Sequence, residues 1–229
     1  MSERPLVSVI IPVRNAQRFL PEALGDVTSQ TYRNLDIVVV NGHSTDRTVE
    51  IANSFPGVRV VEQAGDGLPD AWNVGIDAAE GDPIAFLDSD DRWTPDKIEL
   101  QMAAFDRDPR VDFVIAHARF FLEPGEPCPP RFNPDLLERS HVANMPSALL
   151  ARRKVFETIG NFPTDFEIAS DIDWFARLKD SDLVRAVIPE VLVRKRVHDT
   201  NLSYTADSAR GPEVLRVLRE SVARQRRRR

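Results

Sequence analysis

The stretch that decides the fold is Pro83-Ile84-Ala85-Phe86-Leu87-Asp88-Ser89-Asp90-Asp91. Its first five residues form an apolar run of strand length, bounded by Gly81-Asp82 before and by polar residues after. The run ends in three carboxylates within four residues. Acids at the end of a buried strand lie at the rim of a sheet, where open α/β folds bind their ligands. Carboxylates this close repel each other unless a positive charge lies among them. A divalent cation that takes oxygen ligands, Mg2+ or Mn2+, meets that need and can also hold a diphosphate. The competing reading of these residues is an acidic surface turn that caps the next helix.

Upstream, residues 6–13 are a near-continuous β-branched run, as expected of a strand buried on both faces. Phe19, Leu20, Ala23, Leu24 and Val27 then recur at helical spacing, and Pro21 fits only in the first turn of that helix. A second strand is expected over 35–40. The polar loop 41–46 can cap a helix carrying Val49, Ala52 and Phe55. A third strand follows over 58–61, then a helix over 68–79 with Ala71, Trp72, Gly75 and Ile76 inward. After the acidic cluster, Thr94-Pro95 reads as an N-cap and a first-turn proline, opening a helix that runs to about Asp106. This rhythm predicts parallel strands joined by right-handed crossovers, with helices on both faces. Arg14-Asn15, the loop 41–46 and the acids 88–91 then converge on one crevice, the expected place for a nucleotide.

The second half reads differently. A strand is expected over 111–118, and residues 123–134, with five prolines, form a loop. A short apolar run covers 147–150, and Gly160 stops a helix over 153–159. Ser170-Asp171-Ile172-Asp173-Trp174 opens another helix, with Asp173 three residues after Ser170 in a capping arrangement. One or two strands interrupted by Pro189 fill 184–197. An amphipathic helix over 212–224 places Val214, Val217, Leu218 and Val222 on one face, ahead of an arginine-rich end.

With 229 residues the chain has ample core, and its 42% hydrophobic and 29% charged content is that of an ordinary globular protein. The net charge of −6 argues against a general nucleic-acid binder. A lone cysteine, Cys128, cannot form an internal disulfide and points to a reducing compartment. With no leader-like segment and no long apolar run, the expected location is cytoplasmic, with membrane association left open.

Taken together, VSVIIPVRNA (7–16), SQTYRNLDIVVVNGHSTDRT (29–48), the segment 66–91, PSALLARRKVFETIGNF (146–162), SDIDWFARL (170–178) and RVHDTNLS (196–203) resemble the family 2 glycosyltransferases. The resemblance covers nearly the whole chain. It implies the GT-A fold: an α/β architecture with a Rossmann-like, mostly parallel central sheet flanked by helices and a smaller acceptor-binding C-terminal part. The expected division is a donor half (1–110), an acceptor and catalytic-base half (111–205), and a C-terminal helix with a basic tail (206–229), all in one continuous domain.

The implied activity is inverting transfer of a sugar from a nucleoside-diphosphate sugar to a hydroxyl acceptor, such as a glycan, a lipid-linked sugar or a small molecule. Cell-surface polysaccharide synthesis is the implied setting. By the resemblance, Asp90 and Asp91 hold Mn2+ or Mg2+, with His198 as a further ligand, and Asp171 is the general base. Pro12, Arg14, Asn15, Asn41, Gly42, Asp70, Asn73, Asp88 and Asp90 surround the donor.

Two departures stand out. Gly42 replaces the acid that in relatives accepts a hydrogen bond from uracil, and Arg14 replaces a tyrosine near the base, so UDP is weakened as donor nucleotide and TDP or GDP become alternatives. Trp72 replaces a common arginine and is expected in the core. A degenerate member that binds a nucleotide or glycan without catalysis is the alternative function. A nucleotidyltransferase is disfavoured, because Pro12-Val13-Arg14-Asn15 lacks the glycine-rich turn such enzymes need. The arginine end is expected either to be solvated or to contact an anionic membrane leaflet; a homodimer is left open.

Overall fold

The structure, a computed structural model, describes residues 4–129, 132–199, 201 and 207–228. Residues 200, 202 and 203 of the expected RVHDTNLS element (196–203) lie outside them. Strands β1 (Val7–Val13), β2 (Leu35–Asn41), β3 (Val58–Glu62) and β4 (Ile84–Phe86) are parallel and lie in the order β3-β2-β1-β4. The connecting helices are α1 (Leu20–Thr28), α2 (Thr48–Asn53) and α3 (Leu68–Ala78). β1 is buried along its whole length, which is why its sequence is apolar at every position except Ser8. Ser8 is satisfied there, donating to Asp36 and accepting from the Gly81 N–H. Helix α3 lies so close to β1 that a Cβ at Gly75 would stand 2.3 Å from the Ile10 side chain.

The same sheet continues into the second half of the chain. Beyond β4 the order is β8 (Leu149–Ala151), β6 (Phe113–Phe121), β9 (Arg185–Arg196) and β5 (Arg92–Trp93), with β7 (Ser140–Val142) also paired to β6. β8 runs antiparallel to both β4 and β6, whereas β6 and β9 are parallel. The remaining helices are α4 (Lys97–Arg107), α5 (Asp135–Glu138), α6 (Arg153–Ile159), α7 (Ser170–Lys179) and α8 (Asp207–Arg227), with a 3-10 turn at Pro146–Ala148. Two large apolar clusters lie on either side of the sheet. One gathers α1 and α4 residues around Val9 and Val39, the other gathers α3, α6 and α7 residues around Ile10 and Val38. Trp72 belongs to the second cluster, its ring 4.7 Å from that of Phe162.

Several expectations need correction. Helix α4 starts at Lys97, two residues later than the Thr94-Pro95 signal suggests, and Thr94 does not cap it. The first-turn donor Ile98 N–H is taken instead by the Gln30 side chain at 3.1 Å, a cap supplied from beyond α1. Of the one or two strands expected over 184–197, the structure has one, Arg185–Arg196. Pro189 is accommodated by a register shift, since Ile188 pairs with Ala116 and Val191 with His117. Asp173 completes no capping arrangement: its carboxylate is buried and pairs with Arg177 at 2.8 Å, while the Ser170 hydroxyl donates to the Pro163 carbonyl. Helix α8 begins at Asp207 and contains Pro212. Of the four residues expected on one face, Val217 is buried, whereas Leu218 and Val222 are exposed, so they do not share a buried face.

Candidate active site

The C-terminal ends of β1, β2 and β4 open on one edge of the sheet. At the first of them Arg14 and Asn15 are exposed, and Asn15 has a positive φ of 49°. The Asn15 side chain accepts from the Thr45 N–H at 2.8 Å, and its N–H donates to Ser44, so the loops after β1 and β2 are laced together. Pro12 is buried in β1, paired with Val40. Asn41, also buried, donates to Glu62 and accepts from Ser44 N–H. A Cβ at Gly42 would meet the Gln63 side-chain oxygen at 2.8 Å and the Val13 carbonyl at 3.3 Å, so a side chain there would require Gln63 to shift. Asp70 anchors the preceding loop through the Gly65 N–H. Asn73 is engaged at both ends of its amide by the Phe162 backbone, at 2.8 and 3.0 Å.

The acids after β4 form the centre of this edge. One oxygen from each of Asp88, Asp90 and Asp91 lies within 4.8 Å of the others. Asp91 is fully buried. It accepts from the Ser147 hydroxyl at 3.0 Å, from the Arg196 N–H at 3.2 Å and from the Lys195 ammonium at 3.0 Å. Lys195 also reaches Asp88 at 2.9 Å. His198 Nε2 stands 3.0 Å from Asp90, and Asn201 donates to the same oxygen at 3.2 Å. Burial raises the Asp91 carboxyl, with Lys195 opposing and Asp90 and Asp88 adding to the rise. Burial acts the same way on Asp90, but there Lys195 and the His198 hydrogen bond prevail and hold the carboxyl low. The attraction of three acids outweighs burial at Lys195 and keeps it charged.

Sequence reasoning did not find Lys195, Ser147 or Asn201. Arg194-Lys195-Arg196 is a run of cations on a strand, and only the pairing of β9 with β5 and β6 decides which one faces the acids. The acids nonetheless suit a hard divalent cation. They offer carboxylate oxygens in a tight cluster, and Asp88 Oδ1 is buried with no hydrogen-bond partner among the described residues.

Asp171 sits in the first turn of α7, where its carboxylate accepts from the Ile172 N–H at 2.8 Å. Loss of water raises it to about 6. The Ile172 N–H and Lys195 oppose that rise, and the negative charge of Asp88 adds to it.

Comparison with known proteins agrees with this architecture. The sequence pattern of glycosyl transferase family 2 matches residues 8–173. An uncharacterized glycosyltransferase of Rickettsia typhi is 31% identical over 219 residues, covering 88% of this chain and 67% of that protein. Chondroitin synthase of Pasteurella multocida is 26% identical over 231 residues, of which this chain spans only 24% of the longer protein. Among solved structures, the mannosyltransferase PcManGT from Pyrobaculum calidifontis in complex with GDP-Man and Mn2+ superimposes with a TM-score of 0.72 at 22% identity, covering 97% of this chain and 65% of that one. S. aureus TarS in complex with UDP-GlcNAc gives 0.71 at 19% identity, covering 87% and 61%. These two show that the sheet and its flanking helices are the GT-A fold. The chain belongs to glycosyl transferase family 2, a family of enzymes that transfer sugars.

Proposed function

We propose that the chain transfers a sugar from a nucleoside diphosphate to a hydroxyl acceptor in a single inverting displacement. The observation that carries this reading is the cluster of Asp88, Asp90 and Asp91 after β4, with a buried Asp88 oxygen that has no hydrogen-bond partner among the described residues. Asp171 takes the proton from the acceptor hydroxyl as its oxygen attacks the anomeric carbon, and the diphosphate leaves with the bonding pair. A carboxylate raised to about 6 is a stronger base than an ordinary one yet is still ionised at neutral pH.

Asp90, Asp88 and His198 would hold a divalent cation, which supplies charge cover for the departing diphosphate. Asp91 has both oxygens engaged by Ser147, Arg196 and Lys195, and in this reading it anchors the cluster from beneath. The donor half is residues 1–110, with Arg14, Asn15 and the backbone around Asn41 and Gly42 at the nucleotide. PcManGT was solved with GDP-Man and TarS with UDP-GlcNAc, so both bases belong in the test. Gly42 offers no carboxylate to a uracil, which leaves base recognition to backbone groups and Arg14.

A panel of UDP-, GDP- and TDP-sugars, assayed by mass spectrometry with Mn2+ and with chelator, tests the reading. Metal-dependent release of the nucleoside diphosphate from at least one donor is expected. Binding of a nucleotide with no turnover of any donor, with or without added hydroxyl acceptors, would instead favour the non-catalytic alternative.

A further inference from the structure

Helix α8 divides its side chains sharply between two sides. Inward, Val217 is 2% exposed and packs on Phe166 and Ala169. The Glu213 carboxylate accepts from the N–H groups of Glu167, Ile168 and Ala169, and Ser221, Arg224 and Gln225 all converge on Asp180. Arg228 pairs with Asp182, and Arg216 with Asp165 and Glu220. Much of the arginine-rich end is therefore already engaged by the protein's own acids.

Outward, the pattern reverses. Leu215, Leu218 and Val222 are 54%, 57% and 48% exposed. Leu215, Leu218, Val222 and Arg226 follow one another at spacings of three and four, and Arg219 lies four residues after Leu215, which aligns them in one stripe along the helix. Arg219, Arg226 and the neighbouring Arg227 have no ion pair among the described residues. The two acids of residues 211–228, Glu213 and Glu220, are both engaged as above.

We propose that this outer face of α8 lies flat on an anionic lipid surface, with Leu215, Leu218 and Val222 entering the interface and Arg219, Arg226 and Arg227 meeting the head groups. Two arguments favour a lipid surface over a protein partner. A second copy would set arginine against arginine. A stripe of three apolar side chains also falls far short of the roughly 800 Å2 per partner that a stable protein interface buries. No described helix is long and apolar enough to cross a membrane, so the contact is in the plane of the surface. The inference is independent of the reading of the acid cluster.

The test is flotation of the full chain with phosphatidylglycerol-containing vesicles and with pure phosphatidylcholine vesicles, at low and high salt. Binding to the anionic vesicles, weakened by salt, is expected. The triple variant Arg219→Gln, Arg226→Gln, Arg227→Gln should bind roughly 100-fold more weakly, each arginine near an anionic surface contributing about fivefold. Leu218→Ser with Val222→Ser should lose binding even at low salt. Circular dichroism should show both variants as helical and as heat-stable as the parent, since the altered side chains face outward. Failure of the parent chain to float with anionic vesicles would overturn the proposal, as would undiminished binding by the triple variant. Concentration-dependent dimers abolished by the Leu218→Ser, Val222→Ser pair would overturn it too, in favour of a second copy.

Discussion

Asp171 is one carboxylate whose surroundings set its chemistry. Burial is the main reason its pKa stands at about 6, and the charge of Asp88 adds to it. A base works only when ionised, so turnover should be high above that value and fall as pH drops through it, giving an acidic limb centred near 6. Asp171→Asn should lower turnover by about 10^2- to 10^4-fold while donor binding persists, measurable by single-turnover kinetics beside nucleotide titration. Near-parental turnover in that variant would remove Asp171 from the role of base. Lys195 carries a second prediction at this scale. Lys195→Met leaves Asp91 buried without its cation and should cost about 3–5 kcal/mol in urea unfolding at neutral pH. That Asp90 and His198 come together was legible in the sequence, because the order of their segments along the chain matches a known pattern. Lys195 was not, because three consecutive cations on a strand alternate sides and only register with neighbouring strands selects one.

At the scale of elements, the first half of the fold was readable because each strand is a mostly apolar run and each helix has its own period. What escaped were features set by residues distant in sequence. Gln30 caps α4, and Glu213 on α8 ties down the backbone just before α7. No local motif announces either. On α8 the apolar residues do not mark the buried side, since Val217 is buried while Leu218 and Val222 are exposed, and much of its attachment runs through Glu213, Ser221, Arg224 and Gln225. Glu213 places a carboxylate on three N–H groups directly ahead of Ser170-Asp171 and thereby fixes the entry to the helix that carries Asp171. Hydrogen bonds to a charged acceptor are each worth about 1.5–3 kcal/mol, so Glu213→Ala should destabilise by about 2 kcal/mol or more. If Glu213 also positions Asp171, kcat should fall while KM for the donor holds. Loss of stability with kcat unchanged would confine Glu213 to a structural role.

The molecule as a whole is one sheet whose parallel half ends in the loops after β1 and β2 and whose mixed half returns β9 to the acids after β4. Lys195, Arg196 and His198 come from residues more than 100 positions away from Asp88, Asp90 and Asp91, so the site exists only when both halves have closed on each other. A ligand bound there should stabilise the entire fold. At 100 times its dissociation constant a ligand adds about 2.7 kcal/mol, and for a domain of this size each kcal/mol raises the melting temperature by about 2–4 °C. A nucleoside diphosphate together with Mn2+ should therefore raise melting by roughly 5–10 °C, whereas chelator should remove most of that gain because the diphosphate then faces bare carboxylates. Asp90→Asn should blunt the metal-dependent part of the shift, since Asp90 carries the acid that His198 and Asn201 orient. Equal stabilisation by UDP, GDP or TDP with and without metal would show that the acids hold no cation for the diphosphate. Comparing the three nucleotides in one melting series would also rank the bases against a site in which Gly42 offers no side chain.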